Sequence, residues 1–391
     1  MKKKVVFVGL SGGVDSAVSA TLLKKDGYEV VGVFIKTWHP DFLACNEEEE
    51  RMDAMRVAAH LDIPFLTFDL EDVYKKEVAD YMIAEYKAGR TPNPDVMCNK
   101  EVKFGAFLKK ALLMGADYVA TGHYTINELR ITNYELQKGN DPTKDQVYFL
   151  WTLNQKQLSK IIFPVGNLKK IEVRKLAKKF KLPVAKKKDS QGICFLGAVD
   201  LKEFLKYYIK PKKGQVILIP SESEGRKKDN VIGWHDGAVF YTLGERHGFT
   251  ITKKSPTDGA YYVVGKDVQK NILIVSQKFP PLLEKEGVGG GNFKNHHLAL
   301  KGTPPQQGGE KIQLKETNWI SEVPKKTKSY TCQIRYHGQF LDCKVKIFPK
   351  NKAEVIFLKL ASGLPAKTLV AAGQSCVVYD GDICLGGGVV V

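Results

Sequence analysis

No apolar run in the chain approaches the roughly 20 residues of a membrane-spanning helix, so no spanning segment is expected. The basic start, Met1 to Lys4, leads into an apolar run that ends at Gly12-Gly13. A secretory signal needs an apolar region of about 7–15 residues and a small-residue cleavage site. Neither is present, and a cytoplasmic location with no membrane partner is expected. None of the seven cysteines (Cys45, Cys98, Cys194, Cys332, Cys343, Cys376, Cys384) stands in a Cys-x-x-Cys pair, and no two histidines have zinc-finger spacing. That argues against a structural zinc site, and no protein-held metal is expected. An odd count in a chain of this size also argues against a disulfide framework. The Lys-Ser/Thr ending of the Walker loop is missing, as is the G-x-G-x-x-G of dinucleotide folds. No internal repeat or low-complexity tract stands out.

What the chain has in excess is positive charge. Sixty lysines and arginines stand against 43 aspartates and glutamates, a formal net charge of +17. Such an excess suits a polyanionic partner, with RNA or DNA ahead of an acidic metabolite. A lysine-rich surface kept for solubility is the plainer alternative. At 391 residues there is room for two or three domains, each with its own core.

The stretch Val5 to Ser16, VVFVGLSGGVDS, is the element around which the chain is organised. Val5 to Val8 reads as a fully buried strand. Gly9, Leu10, Ser11, Gly12 and Gly13 then turn into Val14, Asp15 and Ser16, where a helix opens. A strand, a Gly/Ser turn and a helix start make an anion site: backbone N–H groups crowd the phosphate and the helix end adds partial positive charge. Two adjacent glycines alone would favour an ordinary capped turn. The full SGGVDS string is similar to the PP-loop of ATP pyrophosphatases, which cleave ATP between its α and β phosphates.

Further strands are read at Glu29–Ile35, Phe65–Leu70 and Asp117–Tyr124, with helices at 47–61, 73–87 and 102–114. Residues 89–100, GRTPNPDVMCNK, read as an ordered, non-helical loop because of their prolines and asparagines. Strands alternating with helices imply an α/β, doubly wound parallel sheet with ligands at the carboxyl ends of its strands. Beyond Tyr208 glycines punctuate short β-like runs, and Pro280, Pro281 and Gly287–Gly291 mark a linker. The remainder alternates as a small barrel or sandwich. The expected domains are a nucleotide-binding domain over 1–207, a small β-rich domain over 208–280 and a β-barrel over 288–391.

Two cysteines differ from the others by context. Cys98 follows Asn93-Pro94-Asp95, and Cys194 follows Lys186-Lys187-Lys188 and Asp189-Ser190-Gln191-Gly192. Nearby cations favour the thiolate, the form that attacks electrophiles or carries sulfur. For a lone cysteine an inert buried thiol would be the better reading; two in Gly/Pro-shaped segments of one ATP-binding domain tip the balance.

SGGVDS, GRTPNPDVMCNK, ATGHY, KDQVYFLWTL, FPVGNL, AKKKDSQGICF, YTLGERHG, Arg335-Tyr336 and GQSCVVYDGDICLGGG occur in that order. Together they resemble the bacterial tRNA-specific 2-thiouridylases over nearly the whole length. The resemblance implies a PP-loop domain of the adenine nucleotide α-hydrolase type, followed by two β-rich domains. It implies ATP, with Mg²⁺, bound by Gly9 to Ser16 beside Ile35 and Gly122. Ile35 stands where the family commonly has methionine. Asn93, Pro94 and Asp95 are implied to hold the target base, and Lys144, Asp145, Gln146, Arg335 and Tyr336 to touch tRNA at its anticodon stem-loop. Cys98 is implied as nucleophile and Cys194 as persulfide carrier, joined by a transient disulfide, with a protein persulfide donor upstream. Asp95 is the candidate general acid/base, against an Asx turn as its plainer role. Asp15 either orients Mg²⁺ or caps the helix, and His123 is read as a hydrogen-bonded structural residue. PP-loop enzymes that adenylate carboxylates or amides are the nearest rival, but they have no use for a thiol pair. A non-catalytic RNA-binding or sulfur-relay protein would be expected to have lost the Ser or Asp of SGGVDS.

Overall fold

A computed structural model describes residues 3–43, 46–189, 200–219, 230–256, 258–277, 311–358 and 370–391. In chain order the first strands are β1 (Val5–Gly9), β2 (Glu29–Lys36), β3 (Phe65–Asp69), β4 (Tyr118–Ala120), the hairpin β5 (Thr125–Arg130) and β6 (Asn133–Lys138), and β7 (Ile161–Ile162). The hairpin apart, they form a parallel sheet in the order β3-β2-β1-β4-β7. β1 is apolar throughout because both its faces are covered. Val6 and Val8 enter one core with Val14, Ala17 and Val18 of helix α1 (Val14–Lys25), while Phe7 enters another with Val33, Phe68 and Phe107. The expected doubly wound fold is the one found.

The chain winds outward from β1 to β3 and then crosses back to β4, on the other side of β1. Ligand crevices lie outside the carboxyl ends of strands where winding reverses in this way. The turn after β1 and the Thr121-Gly122-His123 turn after β4 both stand at that reversal.

Residues 89–100 depart from expectation. A helix begins at Pro94 (Pro94–Met97) and continues through a π-type stretch, Cys98–Phe107, to Leu108–Leu113. The residues read as loop markers are helix-start signals. The Asn93 side chain accepts a hydrogen bond from the Val96 amide at 3.2 Å, and Pro94, at the first helical position, forfeits only an N–H that would go unpaired there anyway. Cys98 therefore sits in a helix, fully buried, rather than in a polar loop.

The second sheet contains β8 (Gly214–Leu218), β9 (Val231–His235), β10 (Thr250–Ile251), β11 (Tyr262–Asp267) and β12 (Ile272–Ser276), in the order β10-β9-β8-β12-β11. The last region contains β13 (Lys311–Trp319), β14 (Tyr330–Gln333), β15 (Leu341–Phe348), β16 (Lys352–Phe357), β17 (Ser375–Asp380) and β18 (Ile383–Val390). They run β13-β16-β15-β14-β17-β18, and a β13–β18 pairing closes them into a six-stranded barrel. Closure leaves no edge along most of the barrel. Where β18 enters, it pairs instead with β6 (Ile383↔Gln137, Cys384↔Leu136), so a hairpin from the first region extends the barrel's sheet. Cys332, Cys343, Cys376 and Cys384 are all buried, as small hydrophobes of cores. Cys45, Cys194 and residues 287–309 lie outside the described residues. No helix among the described residues is long and apolar enough to cross a membrane.

Candidate active site

The turn after β1 is shaped by backbone. Leu10 donates its amide to the Val33 carbonyl at 2.8 Å, holding the turn against β2. Gly12 adopts φ +70°, and a Cβ there would lie 2.4 Å from the Glu50 carbonyl oxygen, so only glycine fits. Gly13 caps α1 without a side chain. Ser16 donates its hydroxyl to the Gly13 carbonyl at 3.2 Å and lies 3.3 Å from both the Ser11 amide and the Ser11 hydroxyl. Gly122, from the turn after β4, packs against this loop: a Cβ on it would stand 2.8 Å from the Asp15 carbonyl carbon and the Ser16 nitrogen. Ile35 is buried on β2, two residues beyond the Gly9↔Val33 pair. The expected nucleotide residues thus converge on one strand-end crevice.

Asp15 is engaged in a way its position in SGGVDS does not reveal. Its carboxylate accepts the Tyr124 hydroxyl at 2.7 Å and both its oxygens lie 2.8 Å from Lys170 Nζ. Burial, then the Asp15 charge, pushes the Tyr124 hydroxyl far above its ordinary pKa, so it stays a donor. Lys170 also pairs with Asp189 at 2.8 Å, and Asp189 takes Lys144 at 2.8 Å and Arg174 besides. Burial opposes the ionisation of Asp189, but hydrogen bonds from Lys144 and Lys170 outweigh it and hold the carboxyl well below the usual range. Sequence reasoning missed Tyr124, Lys170 and Asp189 as members of one network. Tyr124 and Asp189 stand inside motifs it quoted, whereas nothing marks Lys170.

The residues expected to touch tRNA are held as follows. Lys144 faces Asp189. Asp145 accepts the Gly139 and Val147 amides at 3.1 Å each, and burial raises its pKa. Gln146 accepts the Tyr124 amide at 3.1 Å. Arg335 follows β14 and donates to the Leu243 carbonyl at 2.5 Å, tying the barrel to the second sheet's region. Tyr336 is partly exposed, its ring 4.3 Å from that of Phe149. Asp145 and Tyr336, with Tyr148, Gln333 and Phe340, line one cavity of about 210 Å³ where the 141–148 segment meets the barrel. The structure therefore brings Asp145 and Tyr336, one from each of the two groups expected to touch tRNA, to a single place.

The segment before Cys98 is braced from outside its own sheet. Thr91 donates its amide to the Ala372 carbonyl at 2.8 Å, and Gln374 Nε2 donates to the Thr91 and Pro92 carbonyls at 2.9 and 3.2 Å. Tyr148 donates its hydroxyl to the Ser375 carbonyl at 2.9 Å. Asn99 donates to the Asp95 carbonyl, one turn back. Cys194 and its neighbours Ser190–Gly192 lie outside the described residues, so the expected thiol pair has only its Cys98 half on view. His123 is buried, 2.7 Å from the Thr121 hydroxyl and flanked by Phe104 and Phe163; burial lowers its pKa well below the ordinary value, keeping it neutral.

Three family models match in order along the chain. They are described as a tRNA methyl transferase HUP domain (residues 4–198), a tRNA methyl transferase PRC-barrel domain (202–277) and an aminomethyltransferase beta-barrel domain (309–390). The chain is 42% identical over 388 residues to the tRNA-specific 2-thiouridylase MnmA of Geobacillus thermodenitrificans, covering 98% of this chain and 94% of that one. It is 41% identical to the protein of that name from Shouchella clausii, covering 100% and 98%. Among solved structures it is similar to the U34-tRNA thiolase NcsA of Methanococcus maripaludis, with 17% identity, a TM-score of 0.32, and coverage of 53% of this chain and 66% of that one.

Proposed function

The chain belongs to the tRNA-specific 2-thiouridylase family and is a tRNA sulfurtransferase of the PP-loop ATP-using class, and on that premise we propose which of its residues do the work. Gly9 to Ser16, with Ile35 and Gly122, hold ATP. The 2-oxo oxygen of the wobble uridine attacks the α-phosphorus, the bond to the β-phosphate oxygen breaks, and pyrophosphate departs with the electron pair. The uridine is then an adenylate, which turns a poor leaving group into AMP. The loop amides and the Ser11 and Ser16 hydroxyls meet the charge that develops on the departing phosphates. Asp15 offers a single hard carboxylate beside these hydroxyls, which fits Mg²⁺ held mainly by substrate phosphates. When bound, that ion neutralises charge on the leaving group.

Sulfur arrives as a persulfide on Cys194, loaded by a protein donor. By either direct attack of its terminal sulfur on carbon-2 or prior release as hydrosulfide by Cys98, AMP is expelled. The sulfur–sulfur bond breaks and Cys98 and Cys194 are left as a disulfide, which an external thiol must reduce. Asn93, Pro94 and Asp95, at the helix start five to three residues before Cys98, hold the base, and Asp95 serves the proton transfers. Lys144, Asp145, Gln146, Arg335 and Tyr336 contact the anticodon stem-loop. The reaction is cytoplasmic.

The observation that supports the nucleotide half is the packing of Gly122 against the backbone of Asp15 and Ser16, which builds the cradle from two strand ends. The test is a mass gain from oxygen to sulfur at the wobble uridine of bulk tRNA, given ATP, Mg²⁺ and a persulfide donor. Cys98→Ser and Cys194→Ser are each expected to abolish the gain while tRNA binding survives. Full activity in either single variant would remove that cysteine from the mechanism.

A further inference from the structure

The loop SGGVDS carries no lysine for the terminal phosphates, yet a lysine stands beside it. Lys170 begins the helix Lys170–Lys179, 155 residues downstream of Asp15, and its ammonium lies 2.8 Å from each Asp15 oxygen. We propose that Lys170 is the phosphate-binding cation of this nucleotide site, reaching the β- and γ-phosphates from outside the loop and stabilising pyrophosphate as it leaves. The proposal rests on the reading of Gly9–Ser16 as the ATP cradle.

Three features of the surroundings separate this role from that of a plain staple between helices. First, the helix is docked without the side chain of Lys170. Val173 and Ala177 are fully buried in the core they share with α1, and the Lys170 amide donates to Asp141 at 2.8 Å. Asp141 is itself fixed by the Thr143 amide and hydroxyl. Second, the Lys170 side chain is only 14% exposed. A lysine desolvated to that degree gains little net stability from its ion pairs, but attracts an incoming polyanion far more strongly than one in water does. Third, its second partner can release it. Asp189 keeps Lys144 and Arg174 if Lys170 turns away, so no carboxylate there is stranded. The cluster sets three cations, Lys144, Lys170 and Arg174, against Asp15, Asp189 and the adjoining Asp141, so its charges balance before any phosphate enters and an added polyanion draws on the cations alone.

As the bond between the α-phosphorus and its bridging oxygen breaks, negative charge grows on pyrophosphate. An ammonium at the mouth of the loop meets that charge. AMP lacks the two phosphates concerned. Lys170 should therefore matter to ATP and pyrophosphate and be nearly silent towards AMP.

Titration calorimetry of the full chain with Mg²⁺-ATP, AMP and pyrophosphate tests this in wild type, Lys170→Met, Lys170→Arg and Lys170→Met/Asp189→Asn. Lys170→Met is expected to weaken ATP and pyrophosphate by about tenfold or more while AMP changes by less than about twofold. Lys170→Arg should recover most of the loss. The double variant removes one charge of each sign, and supplies the same comparison if the single variant does not fold. An ATP-to-AMP affinity ratio equal to that of wild type in the Met variants overturns the role of Lys170 and leaves the ATP cradle standing. Failure of wild type to bind ATP at all overturns both.

Discussion

The turn proposed as the phosphate cradle and the start of the Cys98 helix are held by different means. The cradle is local: Gly12, Gly13, Ser11 and Ser16 shape it through their own backbone and hydroxyls, and the neighbouring strand end adds Gly122. The Cys98 helix start is held from afar. Its preceding residues, Thr91 and Pro92, are bonded to Ala372 and Gln374 of the barrel region, and Thr91 Oγ1 lies 3.1 Å from Thr242 Oγ1 of the middle region. Under the proposed roles, nucleotide binding is thus a matter for one sheet, whereas the placing of Cys98 draws on all three regions.

Two substitutions separate these halves. Gly122→Ala has the larger expected effect. Its Cβ would stand 2.8 Å from backbone atoms of Asp15 and Ser16, which have no soft way to give. The cost is about 1–3 kcal/mol of overpacking, taken out of the loop geometry. Calorimetry should show ATP affinity lowered by about tenfold or more, and thiolation lost with it. Gln374→Ala is smaller and falls on the other half. It deletes both donors to the Thr91 and Pro92 carbonyls, so thiolation kcat should drop by about tenfold through misplacement of the Cys98 helix. ATP affinity should not move. Equal losses of ATP binding in the two variants would erase the distinction between the halves.

How much of each half could be read from the chain follows the same division. The strand, glycine turn and helix start of Val5–Ser16 are legible because such a turn demands particular residue types at adjacent positions, and the apolar run of β1 announces a strand covered on both faces. Cys98 stands out in the sequence by its context, but the element read for it is the wrong one: it lies in a helix, not a loop. Asn93 and Pro94 break helices in the interior and begin them at the N-terminus, and only the following Val96, Val102 and Phe107, all buried, decide between the two. The β5–β6 hairpin could not be placed, since its partner Cys384 lies some 250 positions away from Leu136 and alternation alone names no partner. Lys170 was invisible for the same reason: among the lysines of one basic helix, nothing local distinguishes the one that faces Asp15.

The finest test of the comparison uses two carboxylates, one from each half. On the cradle side, Asp189 has its pKa depressed: burial works against the charge, but bonds from Lys144 and Lys170 prevail. A depressed carboxyl stabilises the fold fully above its unfolded value near 4, and that contribution fades as pH falls towards the folded value. On the barrel side, Asp145 has its pKa raised, chiefly by burial, although the Val147 and Gly139 amides bond its ionised form. A raised carboxyl penalises the fold above its folded value, and the penalty disappears as pH falls below about 4. Both amides reach the same Asp145 oxygen, and the amide oxygen of Asn can accept them equally well. Asp145→Asn should therefore raise the thermal midpoint at neutral pH, and Asp189→Asn should lower it. Each shift is expected to be about 2–4 °C, the size that about 1 kcal/mol produces in a domain of this size. Melting curves between pH 7 and about pH 3 should show the Asp145 difference vanishing and the Asp189 difference only beginning to shrink, because its folded value lies below that range. If Asp145→Asn lowers the midpoint at pH 7, the charge beside the cavity is being held by bonds rather than tolerated despite burial, and the two halves would then handle their carboxylates alike.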